Sequence, residues 1–99
     1  MKTLALLDTW TKTPRERMDY DVSFVDWLQS ENDAPAAVSP LTVTAEPGIT
    51  VESSSLSDGV AKVWLSGGLN GQSYRVALLL ATQGGRVKEA EFQINVAEL

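Results

Sequence analysis

The chain contains no cysteine and no histidine. Without cysteine there is neither a disulfide framework nor thiolate chemistry, which suits a protein that folds in a reducing compartment. Without histidine the chain lacks the commonest general base and the commonest metal ligand. We therefore expect a protein that is not an enzyme, with no catalytic residue, no cofactor and no bound metal.

Long hydrophobic runs are also missing. The longest extends from Val76 to Ala81, far short of the roughly 18 residues that a membrane-spanning helix needs. The opening "MKTLALLDTW" begins like a signal peptide, but its apolar part, residues 4–7, is very short and Asp8 follows at once. We expect synthesis in the cytoplasm and no association with a membrane.

Basic residues are few. The chain has 8 Lys and Arg against 13 Asp and Glu, a net charge of −5, and its bases do not cluster beyond Arg15 and Arg17. An acidic surface repels phosphate backbones, so we expect no binding to nucleic acid.

The length of 99 residues and the 43% apolar content predict one domain with an ordinary core.

Short strands dominate the pattern. Tyr20, Val22 and Phe24 alternate with polar residues, as in a half-buried strand, and the residues that follow indicate a bulge or a turn of helix. About seven short strands with turn signals between them predict an all-β sandwich of antiparallel strands. We divide the chain into an N-terminal arm, residues 1–17, and a β-sandwich domain, residues 18–99.

Three turns follow from particular residues. In "EPG" we expect Gly48 to take a positive φ in a tight turn, and we predict a loop over "SSSLSDG". The last hairpin has two possible registers. A two-residue Gly84-Gly85 turn would place glutamates on the core face, whereas a three-residue loop sets Leu78 against Ala90 and Val76 against Phe92. We predict the three-residue loop, with Gly85 left-handed and both Glu89 and Glu91 facing outward.

Local clusters of chemically active residues have simpler explanations. Asp19, Asp21 and Asp26 form the densest group of carboxylates, and a calcium site is conceivable there, but their spacing matches no calcium loop. We favour a solvated outer strand face.

"SGGLNGQ" lacks the lysine and the following helix of a phosphate-binding loop. Ser53–Ser55 have no histidine to activate them, so we place them in a loop.

The tryptophans are the candidates for partner contact. Trp64 lies in mid-strand and is expected on a packed or partly covered face, whereas Trp10 and Trp27 lie at the ends of elements. Exposed tryptophan is common at interfaces and sugar-binding platforms. Trp10 is the strongest candidate, and core-edge packing is the better interpretation of Trp27.

The segment "SGGLNGQSYRV" resembles a corner of immunoglobulin-like or fibronectin-III-like β-sandwiches. In such folds a tyrosine begins the next-to-last strand and its hydroxyl returns to the preceding turn. Tyr74 occupies that place, and Gly67, Gly68 and Gly71 form the turn. The resemblance implies that the Tyr74 hydroxyl donates a hydrogen bond to backbone within residues 66–72.

Four segments in order resemble one family more narrowly, the small fibre–tail adaptor proteins of tailed bacteriophages; they are "DYDVSFVDWL", "GITVE", "AKVWLSGGLNGQSYRV" and "GGRVKEAEFQINV". The resemblance covers about residues 12 to 96. It implies a non-enzymatic virion protein of the tail or neck, made in the host cytoplasm. Such a protein joins tail or neck proteins to fibres, in many copies around a symmetric tail.

Two other functions stay open at this stage. One is a different structural role in the virion, as a capsid decoration or head–tail completion protein. The other is an immunoglobulin-like carbohydrate-binding or adhesion module, for which Trp10 and Trp27 are the only candidate aromatics.

The N-terminal arm has two possible places. Leu4, Leu6, Leu7 and Trp10 are apolar, and "TKTPRER" separates them from the next strand. The arm either adds an edge strand to its own sandwich or lies on a neighbouring subunit by strand addition. We favour contact with a neighbour, and we name these four residues, with Trp27, as candidate partner-binding residues.

Overall fold

The computed structural model describes residues 6–98, which form two packed β-sheets. The elements in chain order are β1 (Leu6–Lys12), β2 (Met18–Ser23), α1 (Val25–Glu31), β3 (Leu41–Ala45), β4 (Ile49–Ser57), β5 (Val60–Gly67), β6 (Ser73–Ala81) and β7 (Val87–Val96). One sheet has the order β1-β7-β6-β3, and the other has the order β2-β5-β4. The predicted all-β sandwich of about seven strands is confirmed.

Alternation of apolar and polar residues sets the faces of each strand. The core residues of β5, Ala61, Val63 and Leu65, are fully buried, and so are Val76 and Leu78 of β6. They alternate with more exposed neighbours along both strands, as expected when one face of each sheet is packed and the other is open. The core therefore lies between the inner faces of the two sheets.

The β6–β7 hairpin has the predicted register. Leu78 pairs with Ala90 and Val76 with Phe92. The Thr82 amide donates to the Arg86 carbonyl at 2.9 Å, and Gly85 is left-handed with a φ of 84°. The three-residue loop is confirmed. This register keeps glutamate off the core face.

The predicted loop over "SSSLSDG" is wrong. Ser53–Ser55 belong to β4, which continues to Ser57 and joins β5 through a two-residue turn. In this turn Asp58 and Gly59 both have positive φ, 51° and 79°, which is the geometry of a type I′ hairpin turn. The serines are exposed on an edge strand, so their polarity reflects solvent and not an irregular backbone.

Two connections position the ends of the sandwich. The irregular segment after β2 is the helix α1, which begins at Val25 and ends at Glu31, and Asn32 follows as a left-handed C-cap with a φ of 51°. "EPG" is a corner that carries the chain from β3 in one sheet to β4 in the other, and Gly48 has the expected positive φ of 109°.

None of the helices within residues 6–98 is long and apolar enough to cross a membrane.

The N-terminal segment differs from what we favoured. Residues 6–12 form β1, which runs parallel to β7 of the same chain, with Trp10 opposite Ile94 and Lys12 opposite Val96. This is the edge-strand alternative for the arm. Strand pairing here satisfies backbone groups of β7 that would otherwise form an open edge.

Candidate functional site

A tyrosine corner joins β5 to β6. The Tyr74 hydroxyl accepts a hydrogen bond from the Leu69 amide at 3.0 Å. The partner lies in the predicted segment, but the expected direction is wrong, because the backbone donates and the hydroxyl accepts. The Gly71 amide also donates to the Val96 carbonyl at 2.7 Å, so the turn is tied to the end of β7.

Two glycines leave room for the Tyr74 ring. A Cβ on Gly48 would lie 2.7 Å from Tyr74 Cε1, and a Cβ on Gly68 would lie 2.6 Å from Val96 Cγ2 and 3.3 Å from Tyr74 Cε2. Both residues have positive φ, 109° and 93°. The ring therefore lies in a slot that any other residue would fill, and Gly67 and Gly71 complete the same turn.

Trp10 packs against the core of its own domain. Its ring centroid lies 5.1 Å from that of Tyr20 and 5.2 Å from that of Phe92. These distances are typical of stabilising aromatic pairs. Leu4 lies outside the described residues, as do the side chains of Leu6 and Leu7. The assignment of Leu4, Leu6, Leu7, Trp10 and Trp27 to partner binding stays a prediction, and Trp10 would contribute to it only through its exposed part.

Trp27 lies on α1 and is half-buried. The Lys88 ammonium is 5.6 Å from its ring centroid, within the range of a cation–π contact. None of the aromatic pairs among residues 6–98 includes Trp27. Trp10 and Trp27 are therefore not stacked into one platform, and the structure does not bring the two candidates together.

A third tryptophan contact was missed from the sequence. Arg17, in the loop before β2, places its guanidinium carbon 4.4 Å from the Trp64 ring centroid. The same guanidinium lies 3.8 Å from the Glu52 carboxylate, which also accepts a bond from the Ser66 hydroxyl at 2.6 Å. Arg17 thus crosses the outer face of the three-stranded sheet. Only the alternation that places Trp64 outward could have indicated this.

The aspartate pair holds a lysine of its own sheet. The Lys62 ammonium lies 2.9 Å from Asp19 and 3.1 Å from Asp21. The hydrogen bond from Lys62 lowers the pKa of Asp19, and the bond to Asp19, followed by that to Asp21, raises the pKa of Lys62. Asp26 lies on α1, apart from this strand. Across residues 6–98 no group of three or more candidate ligands is placed to hold a metal.

Asp33 organises the end of the sandwich near α1. Its carboxylate accepts bonds from the amides of Ala34 (2.8 Å) and Gly84 (3.0 Å) and from the Arg86 guanidinium (2.8 Å). A hydrogen bond from the Thr82 side chain is the largest of the effects that hold the pKa of Asp33 at about 2. This carboxylate fixes the β6–β7 loop onto the segment after α1.

A buried lysine binds the loop between β1 and β2. Lys12, the last residue of β1, is 1% exposed. Its ammonium donates to the carbonyls of Thr13 and Glu16 at 2.7 and 2.9 Å. Burial lowers its pKa, and the nearby Glu16 opposes this effect. Because both acceptors are backbone groups of the β1–β2 loop, Lys12 stabilises the conformation of this loop.

These features define a class of protein. The chain is a two-sheet sandwich with a tyrosine corner of the immunoglobulin-like kind, and its polar clusters serve the fold. Residues 12–95 match the family described as podophage GP4 fiber-tail adaptor protein gp77, and the chain belongs to this family. It is a structural adaptor of a bacteriophage tail, as the sequence resemblance predicted. A search of curated proteins found no match.

Proposed function

We propose that this chain joins tail or neck proteins to the tail fibres, and that it does so in many copies around the symmetric tail. The observation that carries the proposal is the family match over residues 12–95, which includes β2 to β6 and β7 as far as Asn95 but only Lys12 of β1. A ring of copies around the tail would present repeated attachment points for fibres.

The fold supports a role in binding to other proteins. A sandwich held by the Tyr74 corner and the Asp33 cluster exposes alternate side chains on the outer faces of its strands. Preformed surfaces bind with little loss of conformational entropy. The protein would therefore act as a fixed spacer between two partners, with its binding energy supplied by surface residues and not by refolding.

A phage that lacks the gene tests the proposal. We expect particles with filled heads and complete tails but without fibres, visible by negative-stain electron microscopy. Purified protein added to these particles should restore fibre attachment. Particles that carry fibres without this protein would contradict the proposal.

The same experiment separates the other virion roles. A head–tail completion protein would leave heads without tails or heads that have lost their DNA. A capsid decoration protein would leave fibres in place and reduce only head stability. Cryo-electron microscopy of complete particles would then locate the protein and count its copies.

A further inference from the structure

The outer face of β6 is apolar over its second half, where a solvated strand face would be polar. Ala77, Leu79 and Ala81 alternate with the buried residues of β6 and therefore point away from the core. Val87 pairs with Ala81 across the hairpin. Leu79 is 39% exposed and Val87 is 66% exposed. We name these four residues the β6 stripe.

Cross-strand partners give the stripe two different rims. Thr42 and Thr44 of β3 lie opposite Leu79 and Ala77 on one side. Glu89 and Glu91 of β7 lie opposite the same two residues on the other side. In both rows across the sheet, an apolar residue of β6 therefore lies between a threonine of β3 and a glutamate of β7. The apolar residues thus form part of a regular surface pattern and are not isolated exposed side chains.

The acidic rim is only partly neutralised. The Arg75 guanidinium lies 2.9 Å from Glu91, and this is the one ion pair of the rim among residues 6–98. Glu91 is only 8% exposed, so the exposed Glu89 is the carboxylate of this rim that a partner can reach. Glu89 takes part in none of the ion pairs found there. A shallow groove that adjoins the stripe also includes Glu46, whose carboxylate accepts a bond from the Arg75 amide at 2.6 Å. Glu91 is thus paired with the Arg75 guanidinium and Glu46 with a backbone amide, whereas Glu89 takes part in no ion pair among residues 6–98.

We infer that the β6 stripe docks a segment of another virion protein that combines apolar side chains with lysine or arginine. Apolar residues would cover Leu79 and Val87, and a cation would meet Glu89. A second copy of this chain fits poorly, because a symmetric contact would bring two acidic rims together in a chain of net charge −5. The inference rests on the proposed function and names the surface through which the adaptor binds one of its partners.

Binding to particles from the gene-deleted phage provides the test. Because these particles lack fibres, labelled protein is mixed with the particles and, separately, with purified tail fibres, and the fraction bound to each is measured by co-sedimentation. We expect Leu79→Asp and Glu89→Lys each to weaken binding by at least about tenfold, as for residues at the centre of an interface. Added salt should weaken binding of the parent protein more than that of Glu89→Lys.

Matched controls lie elsewhere on the same chain. Val38 is an exposed valine in the loop before β3, 81% exposed, and Asp26 is an exposed carboxylate of α1. Val38→Asp and Asp26→Lys should bind within about twofold of the parent protein, since an exposed site outside an interface contributes little. Thermal unfolding of every variant shows whether it is folded. If Leu79→Asp and Glu89→Lys bind both the particles and the fibres as the parent protein does, the inference is wrong.

A crosslinking experiment identifies the occupant. The photo-reactive residue p-benzoylphenylalanine is placed at position 79 or, as a control, at position 38, and assembled particles are irradiated. Crosslinks from position 79 to a lysine- or arginine-containing segment of another virion protein would support the inference. Crosslinks to a second copy, or none, would overturn it. The proposed function is judged separately, by fibre attachment in the gene-deleted phage.

Discussion

The phenolic oxygen of Tyr74 lies 3.0 Å from the backbone nitrogen of Leu69 and accepts its hydrogen bond. Tyr74→Phe removes this acceptor and leaves the amide without its partner. We expect the free energy of unfolding to fall by about 0.5–1.5 kcal/mol, the usual net contribution of one hydrogen bond. Urea denaturation followed by tryptophan fluorescence would measure it.

Tyr20→Phe is the matched control. Tyr20 is also a core tyrosine, 8% exposed, but its hydroxyl takes part in none of the side-chain hydrogen bonds found within residues 6–98. Its replacement should change stability by less than that of Tyr74. Equal costs for the two variants would show that the corner bond contributes nothing.

Gly68→Ala should destabilise more than Gly71→Ala. The two glycines have similar φ, 93° and 84°, but a Cβ on Gly68 would lie 2.6 Å from Val96 Cγ2, whereas a Cβ on Gly71 would meet nothing within 4 Å. The left-handed backbone costs both variants about 1–2 kcal/mol. Overpacking adds about 1–3 kcal/mol for Gly68 alone. Indistinguishable denaturation midpoints for the two variants would contradict this packing.

Asp33→Asn should lower the melting temperature at neutral pH, and the loss should fade in acid. The pKa of Asp33 is about 2 in the folded chain, below the value of about 3.9 for an unfolded aspartate. Its ionised form therefore stabilises the fold above pH about 4, and this stabilisation is lost as the pH falls through about 2.

Thermal unfolding from pH 7 to pH 2 would measure the difference between the parent protein and Asp33→Asn. Asp26→Asn, a change of an exposed carboxylate with the same effect on net charge, is the control. A gap between parent and Asp33→Asn that stays constant down to pH 2 would be inconsistent with this linkage.

Trp10→Ala should cost more stability than Trp64→Ala, although both side chains are only partly buried. Trp10 of β1 packs against the core aromatics Tyr20 and Phe92, whereas Trp64 lies on an outer sheet face beneath Arg17. We expect a loss on the order of 3 kcal/mol for Trp10. Deletion of residues 1–11 should likewise lower the melting temperature. A truncated chain with an unchanged melting temperature would show that β1 is dispensable for the fold.

Strand faces and the last hairpin were predictable because they depend on residues near in sequence. A one-residue slip in β6–β7 would turn Glu89 and Glu91 toward the core, so the pattern of Leu78, Ala90 and the glycines at 84 and 85 leaves one acceptable register. The tyrosine corner was found for the same local reason. Its direction was missed, since a hydroxyl both donates and accepts.

Other features depend on partners that are distant in sequence. The parallel pairing of β1 with β7, the contact of Arg17 with Trp64, and the bonds from Arg86 to Asp33 each join residues brought together only by the complete fold. The strand character of Ser53–Ser55 was hidden by their polarity. The Asp58-Gly59 pair was the one local signal for that hairpin, because this dipeptide favours a type I′ turn.

The pairing of β1 with β7 has a mechanical consequence. The two strands are parallel, so the beginning of β1 and the end of β7 lie at opposite ends of their shared ladder, from Leu6 beside Glu91 to Lys12 beside Val96. A force that pulls these two ends apart would load all of the interstrand hydrogen bonds together, in shear. An antiparallel pair pulled from one end would open one bond at a time. We therefore expect the β1–β7 pair to resist stretching along the strand direction, because its hydrogen bonds would have to break together.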